Sequence, residues 1–497
     1  MQRTVEELAK FHSQPDSDVV HDLRVAIRRS RSVAATVREI DPHSNWAEMR
    51  IIARKLFRAM GTLRDAQVTA EWLKELQPQE DALKNILLES LASRERTALK
   101  KAVYQAERFD QDRWGELRLV LVKRLRVIPL DSDAARCLAL ERLAEAKELH
   151  RRALRTEKPA AWHRLRIGVK RLRYTLESML PALHETHGES LKRIQDVLGD
   201  IHDLDVVSDL VSSHGQDGAD LLQTEWEQRI SSARQENLLT YRQMALGSAS
   251  VWQTWMASFP HDRWLTYSSG RIAATRRALD SSLKRSLSAT RLANSIWKQL
   301  AVRSALADVI DQREWQVLSA AVRLSGIRVD QRGKTRARAV RTFLLDSPVP
   351  PGWSFAEWEQ VAWAIRYQRG PAPSEKNRRF AKLSIEQQAK IMGLAGILRI
   401  ALVLVRFGVR SGAAVTIQNL PDGLLFEVSG AQDTPENAAR FTKAKGLLER
   451  SLGKTILMRA VSAEQILAQE TSVNDVSSTG ASAPDRSIAP TMFVVRS

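Results

Sequence analysis

Residues 20–32 read VHDLRVAIRRSRS, and this stretch decides how the rest of the chain is read. His21, Arg24, Arg28 and Arg31 stand at offsets 0, 3, 7 and 10. At roughly 100° per residue, the four fall within about 80° of one helix face. Arg29 flanks that face, while Leu23, Val25, Ala26 and Ile27 supply apolar contacts elsewhere on the cylinder. Residues 162–174, WHRLRIGVKRLRY, repeat the pattern with His163, Arg166, Lys170 and Arg173 at the same offsets and Arg171 flanking. Two copies of one basic face point to an internal duplication.

A second pair of segments supports the duplication. Gly61-Thr62-Leu63-Arg64-Asp65-Ala66-Gln67-Val68 matches Gly199-Asp200-Ile201-His202-Asp203-Leu204-Asp205-Val206 position for position. Upstream, Arg54 and Lys55 match Lys192 and Arg193, and Arg58 matches Asp196. Periodicity and turn signals predict helices over 1–12, 19–40, 46–63, 81–109, 112–128, 131–156, 159–180, 189–198, 223–246 and 250–259. Gly61 and Gly199 read as helix junctions. Asp65, Asp203 and Asp205 then read as caps and arginine partners, not as acid–base catalysts.

Further on, 260–285 reads as a connector merging into helix. Helices are expected over 286–307, 312–324, 335–345, 355–367 and 385–407. The period then changes. Residues 414–418 and 424–428 alternate around Pro421-Asp422-Gly423, a hairpin signal, followed by a helix over 435–452 and a strand over 455–461. Ser472–Ser487 is rich in Ser, Thr, Ala and Asp and reads as disordered.

Composition narrows the function. The chain has 497 residues, of which 43% are hydrophobic and 27% charged, as in globular proteins. The longest apolar run, Ile391–Val405, contains Arg399 and falls short of the roughly 18 residues of a span, so no membrane partner is expected. The opening MQRTVEELAKFH is charged and has no apolar signal core, which makes a cytoplasmic location the expectation. A single cysteine, Cys137, excludes an intramolecular disulfide and a Cys-based zinc site, and reads as a buried small side chain.

Net charge is +18, which favours a polyanionic partner. Residues 1–250 hold 41 Lys and Arg against 38 acids, whereas residues 251–400 hold 25 against 11. The first half is thus balanced but locally segregated. All ten histidines lie between His12 and His261.

The basic faces carry few compensating acids, Asp22 and Glu177 being the nearest. Like charges at 5–6 Å repel, so a counter-anion is inferred, and Arg and Lys suit phosphate. His21 and His163 have no second ligand at i+4, which argues against a metal role. Each either donates a hydrogen bond to phosphate or fixes a neighbouring helix. No Walker loop, nucleophile elbow, His-x-x-x-His or Cys cluster occurs, so no catalytic residue, metal site or cofactor is expected.

The repeated His-x-x-Arg-x-x-x-[Arg/Lys]-[Arg/Lys]-x-Arg, each copy followed by Leu/Met-Gly-x-x-[Arg/His]-Asp-x-x-Val, resembles the CHAD (conserved histidine α-helical) domain over about residues 1–265. The resemblance implies two pseudo-symmetric four-helix bundles, repeats of about 1–130 and 131–265, with a basic channel for inorganic polyphosphate. Carried over, the channel residues are His21, Arg24, Arg28, Arg31, His163, Arg166, Lys170 and Arg173, with Arg54, Lys55, Arg58 and Arg171 as supports. Gln67 departs from the second Asp of the family's loop.

After a connector at 266–285, residues 286–465 resemble, more faintly, the HD-like C-terminal region of the exopolyphosphatase/guanosine-pentaphosphate phosphatase family, with a small αβ element. The tail is 466–497. Ser325-Gly326, Gln368 and Leu402 replace that family's His-Asp, His and Asp, so its His/Asp metal chemistry is not expected. The surplus of basic residues there, including Arg332, Lys334, Arg336, Arg338, Arg341, Arg366, Arg369, Lys376, Arg378 and Arg379, suits an accessory anion surface.

The fold expected is mostly α. The function expected is non-enzymatic polyphosphate binding, as a granule-associated or targeting factor in the cytoplasm, on granules or nucleoid. The alternatives are a phosphohydrolase of polyphosphate or guanosine pentaphosphate, and a nucleic-acid-binding protein. Nucleic acid ranks lower because only Trp162 and Tyr174 edge the faces, whereas single-strand binders interleave aromatics with basic residues. The sequence leaves oligomeric state open.

Overall fold

The structure is a computed structural model describing residues 1–461 except 78, 80, 127, 215–220, 281–282, 304–311, 330–334 and 375–376. The expected tail at 466–497 lies outside the described residues. The fold is mostly α, with nineteen α-helices and one three-stranded sheet among the described residues. The chain divides into two compact units: Met1–Ser281 with Gly326–Arg332 and Thr342–Glu359, and Ser282–Ser325 with Gly333–Arg341 and Gln360–Ser497.

Twelve helices build the first unit: α1 (Gln2–Ser13), α2 (Ser17–Ile40), α3 (Ser44–Ile52), α4 (Arg54–Leu76), α5 (Ala82–Glu107), α6 (Gln111–Leu125), α7 (Asp133–Thr156), α8 (Pro159–Met179), α9 (Pro181–His214), α10 (Leu221–Ala245), α11 (Val251–Ala257) and α12 (Trp264–Leu279). The starts follow local chemistry. Asp16 accepts from the Val19 amide at 2.8 Å to open α2, and Pro159 occupies the first turn of α8, where a missing N–H costs nothing. α7 ends at Glu157 in the left-handed conformation, φ 53°.

The duplication is visible in the packing. α1–α2, α2–α4 and α4–α5 pair in the first half as α7–α8, α8–α9 and α9–α10 do in the second. The halves meet through α2 on α8 and α4 on α9. One core runs through both, including Leu23, Ile27 and Leu63 with Leu165, Val169 and Leu198. A second cluster, Leu73, Leu87 and Leu91 with Leu204, Val207 and Trp226, ties the far ends together.

Three expectations are corrected. The helix expected over 46–63 is two helices parted at Ala53, and the second continues through Gly61 to Leu76. The helix expected over 189–198 is part of α9, which passes through Gly199. A mid-helix glycine costs about 1 kcal/mol, and burial of Met60 and Leu63 on one side, and of Leu198 and Ile201 on the other, offsets it. Asp65, Asp203 and Asp205 therefore lie inside helices and cap nothing. Most of α12 lies within 266–285, where a connector merging into helix is expected, and packs on α7.

In the second unit, α13 (Leu283–Arg303) and α14 (Gln312–Leu324) precede α15 (Arg336–Asp346) and α16 (Phe355–Arg366), both of which straddle the division between units. Then come α17 (Arg378–Ala381), α18 (Ile385–Arg406) and α19 (Pro435–Leu452). The strands are β1 (Val415–Leu420), β2 (Gly423–Ser429) and β3 (Thr455–Val461). β1 pairs antiparallel with β2, Ile417 opposite Phe426, and β3 pairs parallel on the other side, Met458 opposite Phe426. α18 is the one helix among the described residues long and apolar enough to cross a membrane by composition, but 56% of that window is buried, as suits a core helix. Gly396 lets α19 approach it: a Cβ there would come within 2.6 Å of the Leu448 amide.

Candidate functional site

Because α2 packs on α8, the two basic faces oppose each other. Arg24 and Arg28 act electrostatically on Arg166 and Lys170. The α4–α9 contact brings Asp65 and Asp203 into the same cluster, where both feel Arg24, Arg166 and Lys170. Asp65 Oδ1 lies 3.8 Å from Arg24 Nη2. The two glycines recur in the same place: a Cβ at Gly61 would touch Arg24 Nε at 3.9 Å, and one at Gly199 would touch Arg166 Nε at 4.0 Å.

The cations outnumber the acids, and burial lowers Lys170 and Arg24. Burial first, then Arg166, Arg28 and Arg24, push the Lys170 ammonium down to about 7, against the opposing pull of Asp203. Burial also lowers Arg24, with Arg28, Arg166 and Arg64 adding to it and Asp65 resisting. Asp203, half-buried, is raised by burial despite its cationic neighbours, whereas the Asp65 side chain is 73% exposed. The Nε atoms of Arg24, Arg28 and Arg166 are buried without a hydrogen-bond acceptor among the described residues. An unmet buried donor costs about 1–3 kcal/mol, more when charged. Three such donors on opposed faces lower stability and suit an incoming anion.

A second group adjoins the first. Arg31 sits among Arg50, Arg54 and Arg58, which with burial lower its pKa, and its Nη1 donates to the Arg50 carbonyl at 2.5 Å. Arg24 and Arg31 lie over the Phe57 ring at 5.7 and 4.9 Å. In the other half Gln195 stands in place of Phe57 and accepts from Arg173 Nη1 at 3.2 Å. Arg28 and Arg173 lie over Tyr174 at 6.0 and 5.5 Å. His163 faces His202, Nδ1 to Nδ1 at 3.4 Å. Burial first, then Arg166, His163 and Lys170, push His202 down to about 4.

The expected site residues thus divide. Arg24, Arg28, Arg166 and Lys170 come together, with Arg31, Arg54, Arg58, Arg173 and His163 adjoining. Arg171 instead pairs with Glu145 of α7 at 3.0 Å. His21 and Lys55 are exposed, and the His21 side chain makes no hydrogen bond among the described residues. Gln67 donates to Glu95 at 2.9 Å, while Asp205 at the matching position accepts from Arg234 at 2.7 Å, so each braces the next helix. The expected arginine-partner role of Asp65 and Asp205 holds, Asp65 beside Arg24 and Asp205 on Arg234, while sequence reasoning missed Phe57 and His202 as neighbours. The signal available for His202 was its register, one turn beyond Gly199.

Elsewhere, Cys137 is buried as expected, its thiol raised chiefly by burial. Gln368 Nε2 donates to the Ser325 carbonyl at 3.4 Å. Arg341 and Arg366 lie over Trp363 and Tyr367 at 3.8 and 5.2 Å. Arg332, Lys334 and Lys376 lie outside the described residues.

An internally duplicated helical domain with opposed basic faces is the class that this fold and site define. Residues 1–212 match the family model of the CHAD domain, and that span includes both basic helices and both glycine motifs. No curated protein matches the chain.

Proposed function

We propose that the first unit binds inorganic polyphosphate along the opposed faces of α2 and α8, without turning it over. The reading rests on the buried, acceptor-free Nε atoms of Arg24, Arg28 and Arg166 beside a Lys170 whose ammonium burial and the neighbouring arginines hold at about 7. A chain of closely spaced phosphates offers acceptors to both faces at once, with bidentate geometry for each guanidinium. The CHAD match supports the same ligand.

Nucleic acid fits less well. Base stacking needs ring faces, and Phe57 and Tyr174 already lie under guanidinium groups. Turnover would need a nucleophile or base aimed at phosphorus. The carboxylates in the cluster, Asp65 and Asp203, instead lie among the cations and lower their net charge. The protein would then localise or store the polymer in the cytoplasm, on granules or nucleoid.

The test is titration of long-chain polyphosphate, single-stranded DNA and RNA of matched charge at two salt concentrations. Polyphosphate is expected to bind most tightly, and Arg28→Gln with Arg166→Gln to weaken it at least tenfold while the helical circular dichroism stays unchanged. Equal affinity for nucleic acid overturns the reading. Phosphate release with Mg²⁺ or Mn²⁺, absent from an Arg24/Arg166 double variant, overturns the non-enzymatic part.

A further inference from the structure

The second unit carries a cavity of about 510 Å³ between the C-terminal half of α18, one face of α19 and residues 368–372. That size falls in the range of small-molecule sites. Its rim is cationic: Arg369, Arg406, Arg440, Lys443 and Arg450 all line it, with no acid among the described lining residues. Arg440 is paired with Glu436 at 2.5 Å. Arg369, Arg406, Lys443 and Arg450 have no carboxylate partner among the described residues. Leu402, Val403, Ala444 and Leu447 form its apolar part.

The cavity is built by the packing around it. Arg399 is buried and donates to the carbonyls of Tyr367 at 2.6 Å and Gly370 at 2.8 Å. These bonds hold the turn that carries Arg369, a turn that needs Gly370 at φ +83°. On α19, Arg440, Lys443, Leu447 and Arg450 recur at helical spacing and share one face. Burial first, then Arg406, Arg336 and Arg285, lower Arg369, so positive potential accumulates at this rim.

We propose that this cavity binds a nucleotide-sized organic phosphate, its phosphates on Arg369, Arg406, Lys443 and Arg450 and its planar or apolar body on Leu402 and Val403. A bare phosphate chain satisfies the rim but leaves the apolar part uncovered, whereas an uncharged body leaves the rim unpaired. Neither half alone accounts for the lining, so the ligand carries both. The site is built wholly from the second unit and does not depend on the polyphosphate reading of the first.

The experiment uses the full chain and calorimetric titration with ATP, adenosine and inorganic tripolyphosphate. To keep tripolyphosphate from reporting on the first unit, all titrations are run on an Arg28→Gln/Arg166→Gln background and repeated on wild type. ATP is expected to bind at least tenfold more tightly than adenosine or tripolyphosphate on that background. Arg406→Gln with Arg450→Gln should weaken ATP at least tenfold, and so should Leu402→Asp, with unchanged thermal midpoint for the arginine pair. No ATP binding at millimolar concentration overturns the proposal. Tripolyphosphate binding as tightly as ATP overturns it too, by reducing the cavity to a simple anion site. ATP binding that survives both the arginine pair and Leu402→Asp places the site elsewhere.

Discussion

Lys170 gives polyphosphate binding a pH signature. In the free protein burial and three arginines hold its ammonium at about 7. A polyanion laid between α2 and α8 reverses those influences and returns the group toward the ordinary lysine value of about 10.4. Linkage then requires proton uptake on binding. It is about half a proton at pH 7 and about one at pH 8.5, because the free lysine is half-charged at the first and nearly neutral at the second. Affinity accordingly falls about 50-fold between pH 7 and pH 9, or ~2.3 kcal/mol at 1.36 kcal/mol per unit.

The other groups facing Lys170 leave this window clear. Burial lowers Arg24, His163 and His202 from their usual values and raises Asp203. Internal phosphates of a long chain are strong acids and contribute nothing. The assay is calorimetric titration of long-chain polyphosphate in buffers of different ionisation enthalpy, at pH 7.0, 8.5 and 9.0. Lys170→Arg should bind at pH 9 with little loss and take up no proton above pH 7.5. Absence of uptake in wild type at pH 8.5, or the same uptake in Lys170→Arg, refutes the argument.

Three further outcomes follow from the packing. Asp200 is pushed up to about 6 by burial first and then by Asp203, Asp196 and Glu75, so its ionised form is disfavoured in the fold. Asp200→Asn should stabilise the protein by about 1 kcal/mol at pH 7.5 after allowance for solvent screening. The gain should shrink as pH falls through 6 and vanish below about pH 3, where both folded and unfolded Asp200 are largely protonated, as read by chemical denaturation. Asp41 shows the opposite sign: burial raises it, but hydrogen bonds from Arg124 and Trp46 outweigh this and hold it low. Its stabilisation is present above the unfolded value and lost as pH falls. Asp41→Asn should cost about 2–3 kcal/mol at pH 7, with a smaller deficit at pH 3. Tyr241 Oη lies 2.6 Å from His150 Nδ1, both buried, so Tyr241→Phe should cost about 1–2 kcal/mol in the same assay.

How much of this was legible in the sequence depends on the range of the interaction. The offsets of His21, Arg24, Arg28 and Arg31 and their copies fix which residues share a helix face, since 3.6-residue periodicity is local. Proline and Asp caps likewise set the starts of α2 and α8, and alternation around Pro421-Asp422-Gly423 set the β1–β2 hairpin. The glycines at 61 and 199 misled, because a local propensity of about 1 kcal/mol is smaller than the burial of the side chains on either flank. Only the tertiary packing of α2 on α8 and α4 on α9 decided which charges meet. It gathered Arg24, Arg28, Arg166 and Lys170 with Asp65 and Asp203, and drew Arg171 off to Glu145. It also buried the three Nε atoms, a desolvation that no spacing rule encodes because it depends on which surfaces exclude water.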